Sequence, residues 1–126
     1  ALGQARKLLE DCDKVENAHV IVGQLAAVTI EQAREAVDML KNKAKSAAIV
    51  LGFVDDDKVT LLAGVTDDLV KKGLSAVDLV KAIAPIVDGG GGGRPQMAQA
   101  GGKKPEKINE ALSKAEEIIK EKLTTI

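Results

Sequence analysis

Five consecutive glycines, Gly89 to Gly93, constrain this chain more than any other stretch of it. A glycine run packs no side chains and costs backbone entropy on folding. A folded domain holds one mainly where its backbone turns tightly or approaches something closely. The run continues as Arg94-Pro95-Gln96-Met97-Ala98-Gln99-Ala100-Gly101-Gly102-Lys103-Lys104, and the sixteen residues from Gly89 to Lys104 hold three cations and no acid. Bare amides beside positive charge suit an anion, and phosphate is the commonest large one. The stretch reads as an ordered Gly-rich loop, with Arg94 as a forked cation and Lys103 and Lys104 as point charges.

Two nucleotide-binding loops are excluded by context. A P-loop needs G-x-x-x-x-G-K-[ST] between a strand and a helix, whereas here a helical pattern precedes the glycines and Arg94-Pro95 follows them. No G-x-G-x-x-G opens a helix behind a strand either. A flexible linker is the plain alternative on composition. Against it, linkers seldom mix semi-buriable and specific polar residues as this one does, and it lies between two amphipathic helices.

The chain has 126 residues, 45% apolar and 29% charged, which suits one compact domain. Phe53 is its single aromatic, so the core must be aliphatic. No apolar run reaches the roughly 18 residues of a membrane span, and the N-terminus lacks a signal-like pattern; a cytoplasmic location is expected. Residues 1–88 carry eleven Lys/Arg against fourteen Asp/Glu, net −3, and residues 89–126 seven against five, net +2. That imbalance permits a local anion site and argues against a broad polybasic surface.

Leu2, Ala5, Leu8/Leu9 and Cys12 fall at helical spacing with no capping residue ahead of them. Residues 1–17 are therefore expected to be the truncated end of a helix from a longer protein, running to about Val15, with residues 18–126 as the globular domain. His19 to Leu25 reads as a buried strand. Thr29-Ile30-Glu31-Gln32 has capping-box form, and Ile30, Ala33, Val37, Leu40 and Ala44 continue it as a helix to about Lys45. Ala47–Val54 and Val59–Val65 form a hairpin around Asp55-Asp56-Asp57-Lys58. Thr66 caps a short helix through Lys72, with Gly73 as its C′ residue. Ser75 starts another helix that Pro85 ends or kinks. Pro105 opens a terminal amphipathic helix. The order predicts an α/β fold: a small mixed β-sheet covered by helices.

Catalytic sets are not evident. His19 and Cys12 read as structural, Cys12 as a small buried hydrophobe. The acids at 55–57 read as a solvated turn rather than a metal site. No metal or cofactor is expected in this domain. With no exposed aromatics to stack bases, any nucleic-acid binding must work through backbone, shape and charge.

Val80-Lys81-Ala82-Ile83-Ala84-Pro85-Ile86-Val87-Asp88, followed by the glycines and Arg94 to Lys103, closely resembles the C-terminal domain of bacterial alanyl-tRNA synthetases. The V-T-D-D-L-V-K-K-G run from Val65 to Gly73 and the A-V-D-L-V-K helix from Ala76 extend the resemblance over most of the chain. It implies a non-catalytic domain that contacts the elbow of tRNA and brings the aminoacylation and editing centres to one tRNA. By motif position, Gly89, Gly90, Gly91, Gly92, Gly93, Arg94, Gln96, Gln99, Lys103 and Lys104 would lie at or near the RNA. The partners implied are tRNA, the rest of the parent synthetase, and a second copy through the N-terminal helix. DHH-type phosphoesterases share the fold and a related Gly-rich motif, so the substrate-binding half of such an enzyme is the rival implication. A purely structural dimerisation module, with the glycines as a hinge, is the third.

Overall fold

The computed structural model describes residues 2–126. Its elements in chain order are α1 (Leu2–Asp11), β1 (Asp13–Val15), β2 (Ala18–Gln24), α2 (Ile30–Ala44), β3 (Ala47–Asp55), β4 (Lys58–Val65), α3 (Asp67–Lys71), α4 (Ala76–Ile83), β5 (Gly89–Gly93), β6 (Met97–Gly102) and α5 (Ile108–Thr125). The strands form one sheet in the order β1-β2-β3-β4-β6-β5. Among the described residues only β2 and β3 run parallel, joined through α2; every other neighbouring pair is antiparallel. The α/β class with a mixed sheet is as the sequence predicts.

Alternation along the strands divides the core in two. Val59, Leu61, Ala63 and Val65 of β4 and Ala98 and Ala100 of β6 face α3, α4 and α5. Leu62 of β4 and Ile49, Leu51 and Phe53 of β3 face α1 and α2. The stripe that α2 buries is Ala33, Ala36, Val37, Leu40 and Ala44, rich in small residues that let the helix lie close on the sheet.

The capping box holds: Gln32 N–H donates to Thr29 Oγ1 at 3.1 Å, and Thr29 N–H donates to Gln32 Oε1 at 3.0 Å. Helix α4 ends at Ile83, and Ala84–Val87 continue as a 3-10 turn around Pro85. Gly73 takes φ 110° just beyond α3. Asp56 and Asp57, at φ 49° and 62°, are the two central residues of the β3–β4 turn. Acidic residues tolerate that left-handed geometry, which accounts for the acid-rich tip.

Three expectations differ. The first helix stops at Asp11, and residues 13–15 pair with β2 through a turn in which Glu16 and Asn17 take φ 52° and 68°. Thr66 and Ser75 stand at helix starts but make no side-chain cap. Thr66 instead turns its Oγ1 to accept from Ala47 N–H at 3.0 Å and to donate to Asp68. Above all, the expected Gly-rich loop is two paired strands, β5 and β6. A loop of that length would leave its backbone groups to solvent, whereas pairing with β6, itself paired with β4, satisfies the inward half of them.

Candidate nucleic-acid interface

The hairpin of β5 and β6 is closed by a reciprocal pair. Arg94 N–H donates to Met97 O at 2.8 Å and Met97 N–H to Arg94 O at 3.2 Å. Antiparallel pairs alternate between hydrogen-bonded and non-hydrogen-bonded positions. Gly92 with Gln99 and Gly90 with Gly101 are therefore bonded pairs, while Gly89, Gly91 and Gly93 sit opposite Gly102, Ala100 and Ala98 without exchanging bonds. The same two sets of glycines differ in what surrounds them. A Cβ at Gly89 would collide with the Gly101 carbonyl, one at Gly91 with Ala100 Cα at 2.5 Å, and one at Gly93 with Ala98 Cα at 2.6 Å. Gly90 and Gly92 meet nothing within 4 Å. The fold requires glycine at 89, 91 and 93; it does not require it at 90 and 92.

Those two free glycines lie on one face of the sheet. Ala98 and Ala100 point to the α4 side, so Gln99 and Gly101 point to the other, and their partners Gly92 and Gly90 share it. The register gives two rows across the sheet: Phe53, Thr60, Gly101, Gly90 and Leu51, Leu62, Gln99, Gly92. Each row runs from a large apolar residue packed against the α1–α2 layer to bare backbone at the sheet edge. Gly101, whose Cβ would meet only the Val59 carbonyl at 3.9 Å, extends the bare area. The result is a floor of bare backbone at Gly90, Gly92 and Gly101, from which Gln99 alone rises toward α2.

Helix α2 supplies a wall. Arg34 Nη2 donates to Gln99 Oε1 at 2.8 Å. Lys41 Nζ donates to the Gln96 carbonyl at 2.7 Å, and the same oxygen accepts from Val65 N–H at 3.0 Å. The Pro95 carbonyl accepts from Ala76 N–H at 2.8 Å, so β4, α2 and α4 together hold the Pro95-Gln96 turn. Arg34, Asp38, Lys41, Gly92, Arg94 and Gln99 line an open groove of ≈ 450 Å³. Burial pulls the Lys41 pKa below the ordinary lysine value and nearby Arg94 lowers it further, against Asp38 and Asp67, which raise it. Three cations and one acid, Asp38, thus line this end of the floor, with Asp67 also near Lys41.

Lys103 stands at the other end. It shares a hollow with Lys58, Asp88, Gly89 and Gly90, and the amides of Lys103 and Lys104 both donate to the Val87 carbonyl, at 2.8 and 3.0 Å. Four residue steps of strand separate Gly89 from Gly93, about 14 Å. The structure therefore brings Arg94, Gln96 and Gln99 together and sets Lys103 and Lys104 apart from them. Arg34, Lys41 and Thr60 were missed in the sequence. Arg34, Asp38 and Lys41 do recur at helical spacing beside the apolar stripe of α2, a signal that shows a shared face but not what it faces.

Neither His19 nor Cys12 lies here. His19 Nδ1 donates to the Ser46 carbonyl at 3.2 Å, tying β2 to the start of β3. Cys12 packs half-buried against the α1–α2 core; burial, then Asp13, pushes its thiol pKa up, as expected of a structural cysteine. Helix α1 turns Ala5, Leu8 and Leu9 onto the same core, leaving Leu2 as its exposed large apolar residue. Among the described residues, no helix is long and apolar enough to cross a membrane.

Comparison with known proteins gives a consistent result. The DHHA1 domain family matches residues 17–121. The alanine–tRNA ligase of Pelotomaculum thermopropionicum is 46% identical over 120 residues, covering 95% of this chain and 14% of that protein. The chain spans 13–14% of the length of the curated relatives it matches first. The C-Ala domain from Aquifex aeolicus alanyl-tRNA synthetase superposes with a TM-score of 0.78 at 28% identity, over 87% of this chain and 98% of that one. An exopolyphosphatase-related protein from Bacteroides fragilis, at TM-score 0.55 and 15% identity over 98% of this chain and 36% of that one, shares the fold alone. With the family match spanning most of its length, the chain belongs to the DHHA1 domain family, in a form similar to the C-Ala domain of alanyl-tRNA synthetases.

Proposed function

We propose that the chain is the tRNA-binding C-terminal domain of an alanine–tRNA ligase, acting in the cytoplasm and non-catalytic by itself. It docks on the elbow of tRNA and keeps one tRNA within reach of the aminoacylation and editing centres in the rest of the enzyme. The observation that carries this reading is the bare floor: Gly90 and Gly92 are glycines that the fold does not need. Two unneeded glycines on one exposed face, beside Arg34, Lys41 and Arg94, make sense if something flat and anionic must come close to backbone. The tRNA elbow offers a planar tertiary base pair flanked by phosphates. A splayed single strand would call for aromatic platforms, and Phe53, the one aromatic, is 4% exposed.

The two ends of the floor give the phosphates separate anchors. Arg94 and Arg34 serve the turn end, and Lys103 with Lys58 the base end. The reading is tested by titrating tRNA against the chain over a range of salt. With about three phosphate contacts, log K falls against log salt with a slope of roughly −2 to −3. Arg94→Ala makes the slope shallower by about one and leaves the melting temperature in place. A chain that binds tRNA no better than double-stranded DNA, with no change on Arg94→Ala, would contradict it.

A further inference from the structure

We infer that β5 is a self-pairing edge, through which two copies of this chain join their sheets about a two-fold axis at Gly91. Strand β5 ends the sheet, and among the described residues no strand lies beyond it. The hydrogen-bond alternation set by the Arg94–Met97 pair turns the N–H and C=O of Gly89, Gly91 and Gly93 outward. Sheet edges are usually guarded by charged side chains, prolines or bulges. Five glycines in unbroken register supply none of these.

The edge is also complementary to itself. In an antiparallel pair centred on Gly91, Gly91 faces its own copy and Gly89 faces Gly93, so all three outward-facing residues meet outward-facing residues. That register brings Asp88, which takes φ 56° just ahead of β5, toward Arg94 of the other copy, just beyond the strand's far end. Both side chains are exposed, and among the described residues neither belongs to an ion pair. Lys58 and Lys103, which border the same hollow as Asp88, do not take it up. A segment of opposite charge at its two ends, flanking bare strand, selects an antiparallel second copy over a parallel one. The two-fold axis stands perpendicular to the sheet, so the open floors of both copies come to lie on one side of a twelve-stranded sheet.

The pairing uses the edge of β5 and the proposed RNA contact its face, with Arg94 alone common to both, so the pairing is measured without RNA and stands or falls on its own. In amide spectra of the wild-type chain at rising concentration, the resonances of Gly89, Gly91 and Gly93 shift, while those of Gly90 and Gly92, already bonded into β6, stay put. In sedimentation equilibrium, Asp88→Lys and Arg94→Asp each weaken self-association about tenfold, because each turns two attractive pairs into repulsive ones. An equimolar mixture of the two variants restores it, since both ends of the mixed pair are then opposite in charge. Concentration-independent odd-numbered glycine amides up to millimolar protein, or a mixture no tighter than its components, would overturn the inference.

Discussion

Lys41 Nζ reaches across β4 to donate to the Gln96 carbonyl at 2.7 Å, joining residues 55 positions apart. Gly64 makes the crossing possible: a Cβ there would strike Val37 and lie 3.0 Å from Lys41 Cε. The bond ties the wall of the groove to the turn that ends its floor. Lys41→Met keeps the length of the side chain and removes the donor. It should cost about 1 kcal/mol and speed hydrogen exchange at the Arg94 and Met97 amides about fivefold. Unchanged exchange at those two amides would show that β4 and α4 hold the turn without Lys41.

The glycines of β5 should answer to substitution by parity. Gly91→Ala sets a methyl against Ala100 and should destabilise the domain by about 2–3 kcal/mol. Gly90→Ala and Gly92→Ala meet open space and should shift the melting temperature by no more than a few degrees. Thermal denaturation of the three variants side by side checks this; equal losses at 90, 91 and 92 would refute the alternation.

What the residues reveal before folding, and what they conceal, follows the range of the interactions. The capping box at Thr29 and Gln32, the break at Pro85 and the C′ position of Gly73 are local chemistry, and each lies where the sequence puts it. Strand β5 was illegible, because glycine has low β-propensity and the strand exists through its hydrogen bonds to β6. The three residues of β1 were too short a signal to separate from the preceding helix. Thr66 marks the right boundary with a different bond, since its hydroxyl finds Ala47 across the fold and Asp68 two residues on. For the site, the glycines, Arg94, Gln96 and Gln99 were legible as unusual residues in one run. Arg34 and Lys41 were not, because a helical stripe does not disclose which strand it will overhang.

Asp68 links α3 to β3 by accepting from Ser46 Oγ at 2.6 Å and from Thr66 Oγ1. Burial, the largest single influence, pushes its pKa up, but the hydrogen bonds from Ser46, Thr66 and the amides of Leu69 and Asp68 outweigh it and hold the carboxyl below the usual range. A depressed folded-state pKa contributes stability that is present above the unfolded value of about 3.9 and is lost as pH falls through the folded one. Denaturant unfolding at a series of acid pH values should therefore fall more steeply below about pH 4 for the wild type than for Asp68→Asn. Parallel curves would remove Asp68 from the acid response.

The proposed role of the glycine floor is to stay bare so that tRNA can approach it. Its most direct test is tRNA affinity by fluorescence anisotropy for the wild type and for Gly90→Val/Gly92→Val, at one fixed salt concentration and with thermal melts in parallel. Valine suits a strand, and both positions are open, so the melts should nearly coincide. Two branched side chains standing on the floor should weaken tRNA binding at least tenfold, about 1.4 kcal/mol or more. Full affinity in the folded double variant would show that tRNA does not approach the bare floor.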